Sequence, residues 1–186
     1  MSEIRKSVLW AIAIALLSGT FSAVTLDPFM QVIEDSGLDD LAGLLGSFAL
    51  TAGLSFGLCG AAFTLWRKKV GIGAGAVFVV ASMIGMASAV YVAILGYDNA
   101  TGSFLLPYTL GSPVGALILA VPFAFLGKFA TPWRTIALAT ALPMLWAVGV
   151  GAFLNGDAAL NASGLATLYI GWQALFLGVF AAARRA

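Results

Sequence analysis

The chain has no histidine, a single cysteine and few charges, and each shortage removes a class of chemistry. Without histidine, and with Cys59 alone, most haem, transition-metal and disulfide chemistry is excluded. Charged residues make up only 9% of the 186 positions, whereas a soluble domain carries about a quarter. Apolar and aromatic residues reach 61%, and the mean hydropathy is +1.03. Such a chain cannot cover its own surface with polar groups, so the spare apolar surface faces lipid. A net charge of +1 argues against nucleic acid as a partner.

Six stretches lack any Asp, Glu, Lys or Arg: Val8–Leu26, Leu41–Trp66, Val70–Tyr97, Leu110–Leu126, Thr135–Phe153 and Gly164–Ala183. A bilayer needs about 20 residues per helical span, so each is long enough, and the third must tilt or protrude. Backbone polar groups in hydrocarbon need internal partners, and the period-2 pattern of a barrel is absent. The expected fold is all-α, one domain of six transmembrane helices. Arg5 and Lys6 before the first span could open a signal peptide. The apolar run continues to Leu26 with no small-x-small site before Val24, so it reads as the first helix.

Charge sets the threading. In a six-span chain all nine Lys and Arg fall on one side: Arg5, Lys6, Arg67, Lys68, Lys69, Lys128, Arg134, Arg184 and Arg185. Seven of the eight acids fall on the other. The positive-inside rule then makes both termini cytoplasmic, in what looks like a bacterial inner membrane. Trp10, Trp66 and Trp133 mark the inner interface, and Tyr97 and Tyr108 the outer one.

Intramembrane ionisable groups usually mark function, and the six spans hold none. Proton-coupled transport, a retinal Schiff base, a voltage sensor and intramembrane proteolysis all need residues that these spans lack. The chain reads as non-catalytic, with no cofactor. What remains is polar but neutral. Gln173 is the only Asn or Gln inside a span, and it sits beside Trp172. Trp146 lies near the middle of the fifth span. Pro143 frees the carbonyl of Ala139 and Pro122 that of Ile118. Two indoles, an amide and freed carbonyls could line a midplane pocket for a neutral or lipid-like ligand. Alternatively Gln173 bonds a neighbouring helix and the tryptophans fill core space.

Small residues recur every fourth position at Ala49, Gly53, Gly57 and Ala61, with a similar stripe at Ser82, Gly85 and Ala89. They suit close helix packing of a rigid hairpin, or a docking face for another subunit or a second copy. In the outer loop, Asp27 and Pro28 should begin a short interfacial helix that Gly37 ends. Asp39 and Asp40 in that loop are weak metal candidates; a solvated acidic loop is the plainer reading.

The second and fourth spans echo each other. Leu45-Gly46-Ser47 leads to Thr64-Leu65-Trp66-Arg67, and Leu110-Gly111-Ser112 to Thr131-Pro132-Trp133-Arg134. The echo suggests duplicated hairpins, spans 2–3 and 4–5. The order of Phe56-Gly57-Leu58-Cys59-Gly60, Tyr97-Asp98-Asn99, Pro122-Phe123-Ala124-Phe125, Trp133-Arg134-Thr135-Ile136-Ala137 and Gly171-Trp172 resembles a bacterial integral-membrane family known as domain of unknown function nine-nine-eight. That resemblance implies a six-helix bundle and carries over no activity. Two readings stay open: a protein that binds or passes a neutral ligand among membrane lipids, or an accessory subunit of a larger membrane complex.

Overall fold

The computed structural model describes residues 3–35, 37, 40–68, 70–97, 103–154 and 161–183, with the side chains of residues 33, 34, 40, 67 and 68 outside that description. The elements are α1 (Glu3–Asp35), α2 (Asp40–Phe48), a π-helical turn (Ala49–Gly53), α3 (Leu54–Lys68), α4 (Ile72–Leu95), α5 (Leu105–Leu126), α6 (Pro132–Phe153) and α7 (Ala162–Ala182). Six helical stretches are long and apolar enough to cross a membrane: Glu3–Val32, Leu41–Trp66, Ile72–Leu95, Leu105–Leu126, Pro132–Phe153 and Ala162–Ala182. The protein is an all-α, multi-pass membrane bundle.

Each span packs on its neighbour in sequence, and α7 closes the ring against α1. The seams are made by small residues. A methyl group added to Gly53 would lie 2.8 Å from the Met83 Cα, and one on Gly57 2.9 Å from the Val79 Cα, so α3 lies directly on α4. Gly85 and Gly115 face each other across the next seam, where a methyl on Gly85 would meet the Gly115 carbonyl oxygen at 2.9 Å. Without side chains in the way the two backbones touch, which is how spans associate when lipid is as apolar as the partner helix.

Several ends meet. Trp10 packs edge-to-face on Trp66 at 5.0 Å, and Phe125 on Trp133 at 5.2 Å. Val8, Thr131, Arg134, Ala182 and Ala183 share one surface groove between α1 and α6. The starts of α1 and α6 and the ends of α3, α5 and α7 therefore lie at one end, with Arg5, Lys6, Lys128 and Arg134; this is called the basic end below.

Three expectations need correction. Asp27 and Pro28 do not begin a new helix: α1 runs unbroken through them. Leu26 is buried and Met30, one turn on, packs against the same cluster of Ala23, Ala52, Leu165 and Tyr169, and helical spacing holds both on that face. Those contacts outweigh the lost hydrogen bond at Pro28. Gly37 does take the left-handed conformation, with φ of +72°.

The second correction concerns the paired hairpins. Thr64-Leu65-Trp66-Arg67 lies inside the last turns of α3, whereas Thr131-Pro132-Trp133-Arg134 caps and begins α6 after the turn. The two motifs are not equivalent in position, and among the described residues only the second span contains a π turn. Third, that turn interrupts the every-fourth-residue stripe. Leu54 N–H reaches back five residues to the Ala49 carbonyl, and the wider turn rotates half-buried Ala49 out of line with Gly53, Gly57 and Ala61.

Candidate ligand cavity

The half of the bundle toward the basic end is filled by phenylalanine. Phe56, Phe78, Phe123, Phe129, Phe176 and Phe180, drawn from α3, α4, α5, the α5–α6 turn and α7, are buried in one cluster. Ring centroids lie 5.7 Å apart for Phe56–Phe78, 4.9 Å for Phe78–Phe123, 4.8 Å for Phe123–Phe180 and 5.2 Å for Phe129–Phe180. Mostly edge-to-face, these contacts suit the ring quadrupoles. They plug the axis at this end.

The opposite half is not filled. A cavity of about 330 Å³ runs from Ser82, Leu119, Trp172 and Gln173, near half-way along their helices, to Leu44, Ile94, Pro107 and Leu165 at the far end. Its wall is assembled from α2 to α7 without α1. Small residues on two helices, Gly85 and Ala89 on α4 with Gly111 and Gly115 on α5, both make that seam and leave room beside it. No Asp, Glu, Lys or Arg lines it.

Gln173 is 1% exposed and belongs to this wall. The Ser18 hydroxyl on α1 donates to its Oε1 and lies 2.9 Å from the Ile14 carbonyl. Ser22, one turn along, donates to the Ser18 carbonyl and contacts the Ser55 hydroxyl at 2.8 Å, so a file of hydroxyls follows the α1–α3 seam. Gln173 Nε2 is buried and has no hydrogen-bond partner among the described residues. Such a group costs about 1–3 kcal/mol when left unpaired. The other such atom, Thr140 Oγ1, lies on α6 away from the cavity wall.

Trp172 stands beside it. Its indole Nε1 donates to Ser112 Oγ at 2.8 Å, and its ring stacks on Phe176 at 5.3 Å and 6°. The indole thus lies where the aromatic plug ends and the cavity begins.

The structure separates the other residues singled out in the sequence from this pair. Trp146 is 39% exposed, lies over Gly171 and donates to the Thr167 carbonyl at 3.1 Å. It does not line the cavity, because the missing side chain at Gly171 gives its ring a seat on the outer side of α7. Pro143 is fully buried in α6, one turn before the cavity-lining Ala147. Pro122 lies in the last turns of α5 toward the basic end and does not line the cavity. Of the packing residues, Ser82, Gly85 and Ala89 do line it. Asp39 lies outside the described residues, as does the side chain of Asp40.

Several wall residues carry no sequence flag of their own, Tyr169 and Phe48 among them, and nothing in the sequence marks Tyr108 or Ser112 as lining a cavity. A usable signal existed for Ser18 and Ser22, small hydroxyls four apart on one face of an otherwise apolar span. No family model matches the chain, and neither a curated protein nor a solved structure matches it.

Proposed function

We propose that the protein binds a small, uncharged, lipid-like molecule in the cavity walled by Trp172 and Gln173, and that it sits in a bacterial cytoplasmic membrane with both termini in the cytoplasm. The observation that carries the reading is Gln173: a buried amide with an unpaired nitrogen, on the wall of an otherwise apolar cavity of about 330 Å³. Unsatisfied buried polar groups are rare and call for a partner. Mostly apolar walls with a few polar groups are what small-molecule sites are made of. Since every described basic residue lies at the plugged end, the positive-inside rule points the cavity toward the outer leaflet. The phenylalanine plug favours a binding site over an open channel; passage of the ligand would require those rings to part.

The alternative reading, an accessory subunit, leans on small-residue stripes as docking faces. Gly53 and Gly57 are covered by α4, and Gly85 by α5, so this chain's own helices occupy them. That favours the ligand reading.

Native mass spectrometry of the protein extracted with its own lipid tests both. A single persistent small mass, lost in Gln173→Leu while the fold survives, supports binding. A stoichiometric second polypeptide with no small mass would replace this reading with the subunit one.

A further inference from the structure

Resting on the ligand-site reading above, we infer that the cavity selects hydrogen-bond acceptors: an uncharged, largely apolar molecule presenting a carbonyl oxygen to Gln173 and Ser112. Ser18 has one hydroxyl proton and two acceptors in reach, the Ile14 carbonyl at 2.9 Å and the Gln173 amide at 2.5 Å. The Gln173 amide oxygen accepts from the Ser18 hydroxyl, and the NH₂ group is the end left without a partner among the described residues. Its two hydrogens can only donate.

Ser112 gives the same sign. An indole N–H is a donor and nothing else, so Ser112 Oγ accepts from Trp172 at 2.8 Å and keeps its own proton to give. Both free groups belong to residues of one cavity wall, and Ser82 adds a second serine hydroxyl. A ligand whose polar group only donates would leave these donors unpaired and add another. A carbonyl oxygen, with two lone pairs, satisfies them. The absence of Asp, Glu, Lys and Arg from the wall makes a carboxylate or an ammonium costly there, so the molecule is neutral. A quinone ring and a neutral acyl lipid share this chemistry.

Three rigid tricyclic probes of nearly one shape separate the cases: 9-fluorenone, with a carbonyl; carbazole, with an N–H; and fluorene, with neither. Their retention by the full-length protein in detergent is measured by equilibrium dialysis against protein-free micelles. The expected order is fluorenone about five-fold tighter than fluorene, with carbazole no tighter than fluorene. Gln173→Leu should reduce the preference for fluorenone over fluorene at least two-fold while fluorene is still retained. Ser112→Ala gives a second, independent reduction of the preference should the first variant fold poorly. Parity in the wild type, or a preference for carbazole, overturns the acceptor assignment and leaves the binding site standing. Retention of none of the three overturns the binding site itself, and this inference with it. A native quinone and a native acyl lipid are then told apart by the mass and absorbance of what copurifies.

Discussion

The indole of Trp172 on α7 donates to the hydroxyl of Ser112 on α5, so one hydrogen bond ties two non-adjacent spans across the wall of the cavity. The two helices do not pack face to face; α6 stands between them in the ring. The bond is therefore a strut, holding open space that the ring would otherwise be free to close. Trp172→Phe keeps the stacking on Phe176 and removes the donor, and Ser112→Ala removes the acceptor. Interhelical hydrogen bonds in membranes are worth about 0.6–1 kcal/mol. A double-mutant cycle on unfolding in mixed micelles should return a coupling of that size. A coupling of zero would mean the strut carries no stability.

Backbone contact between α4 and α5 makes a sharper prediction. A methyl group at Gly111 would lie 2.6 Å from the Ala89 carbonyl oxygen, a backbone atom that can retreat only if the helices separate. Gly111→Ala should cost about 1–3 kcal/mol and lower the thermal midpoint, as overpacking does. It should also alter binding of any cavity ligand, because Ala89 and Gly111 both line that space. Gly149→Ala is the control. Nothing lies within 4 Å of the added methyl, and in a helix interior the change should be neutral or stabilise by up to about 1 kcal/mol. Equal losses at the two sites would refute the close seam.

How much of this was legible in the sequence differs between fold and site. The six spans follow from charge-free runs, because the cost of burying a charge in lipid acts on each residue separately and needs no tertiary knowledge. Gln173 and Trp172 follow the same logic as polar groups out of place. Their partners do not. Ser18 and Ser112 are ordinary small hydroxyls, and which of many such residues meets Gln173 depends on the order of helices around the ring. Trp146 shows the converse: its place near the middle of α6 is legible, but its direction depends on the gap over Gly171. The continuity of α1 through Pro28 rests on Leu26 and Met30 reaching a cluster contributed by α7 and the π turn.

Trp146 offers a test of that placement. A methyl at Gly171 would fall 2.1 Å from the Trp146 ring, so Gly171→Ala must displace the indole and break its bond to the Thr167 carbonyl. Tryptophan emission should shift in Gly171→Ala, and the shift should vanish when Gly171→Ala is made on a Trp146→Phe background. Trp146→Phe alone should leave binding of a cavity ligand within two-fold, roughly the noise of a lost indole at a distant site. A larger loss would return Trp146 to the site.

The turn after α5 gives the last prediction, on stability alone. Phe129 N–H bonds the Ala124 carbonyl at 3.3 Å and Lys128 N–H bonds the Phe125 carbonyl at 3.1 Å, the pair of contacts that closes a helix through a left-handed residue. Lys128 occupies that position with φ of +52°, where glycine is usual and a side chain costs about 1–2 kcal/mol. The turn holds because Phe129 is buried against Phe123 and Phe180. Lys128→Gly should therefore stabilise the protein by up to about 1 kcal/mol, part of the relieved strain being offset by glycine's greater freedom when unfolded. Gly127→Ala should do the reverse, since its methyl would lie 2.5 Å from the Phe129 ring and 2.8 Å from the Phe123 carbonyl. Thermal unfolding of the two variants in one detergent should move the midpoint in opposite directions. If Lys128→Gly lowers it, the lysine side chain stabilises this end of the bundle by more than its backbone strain costs.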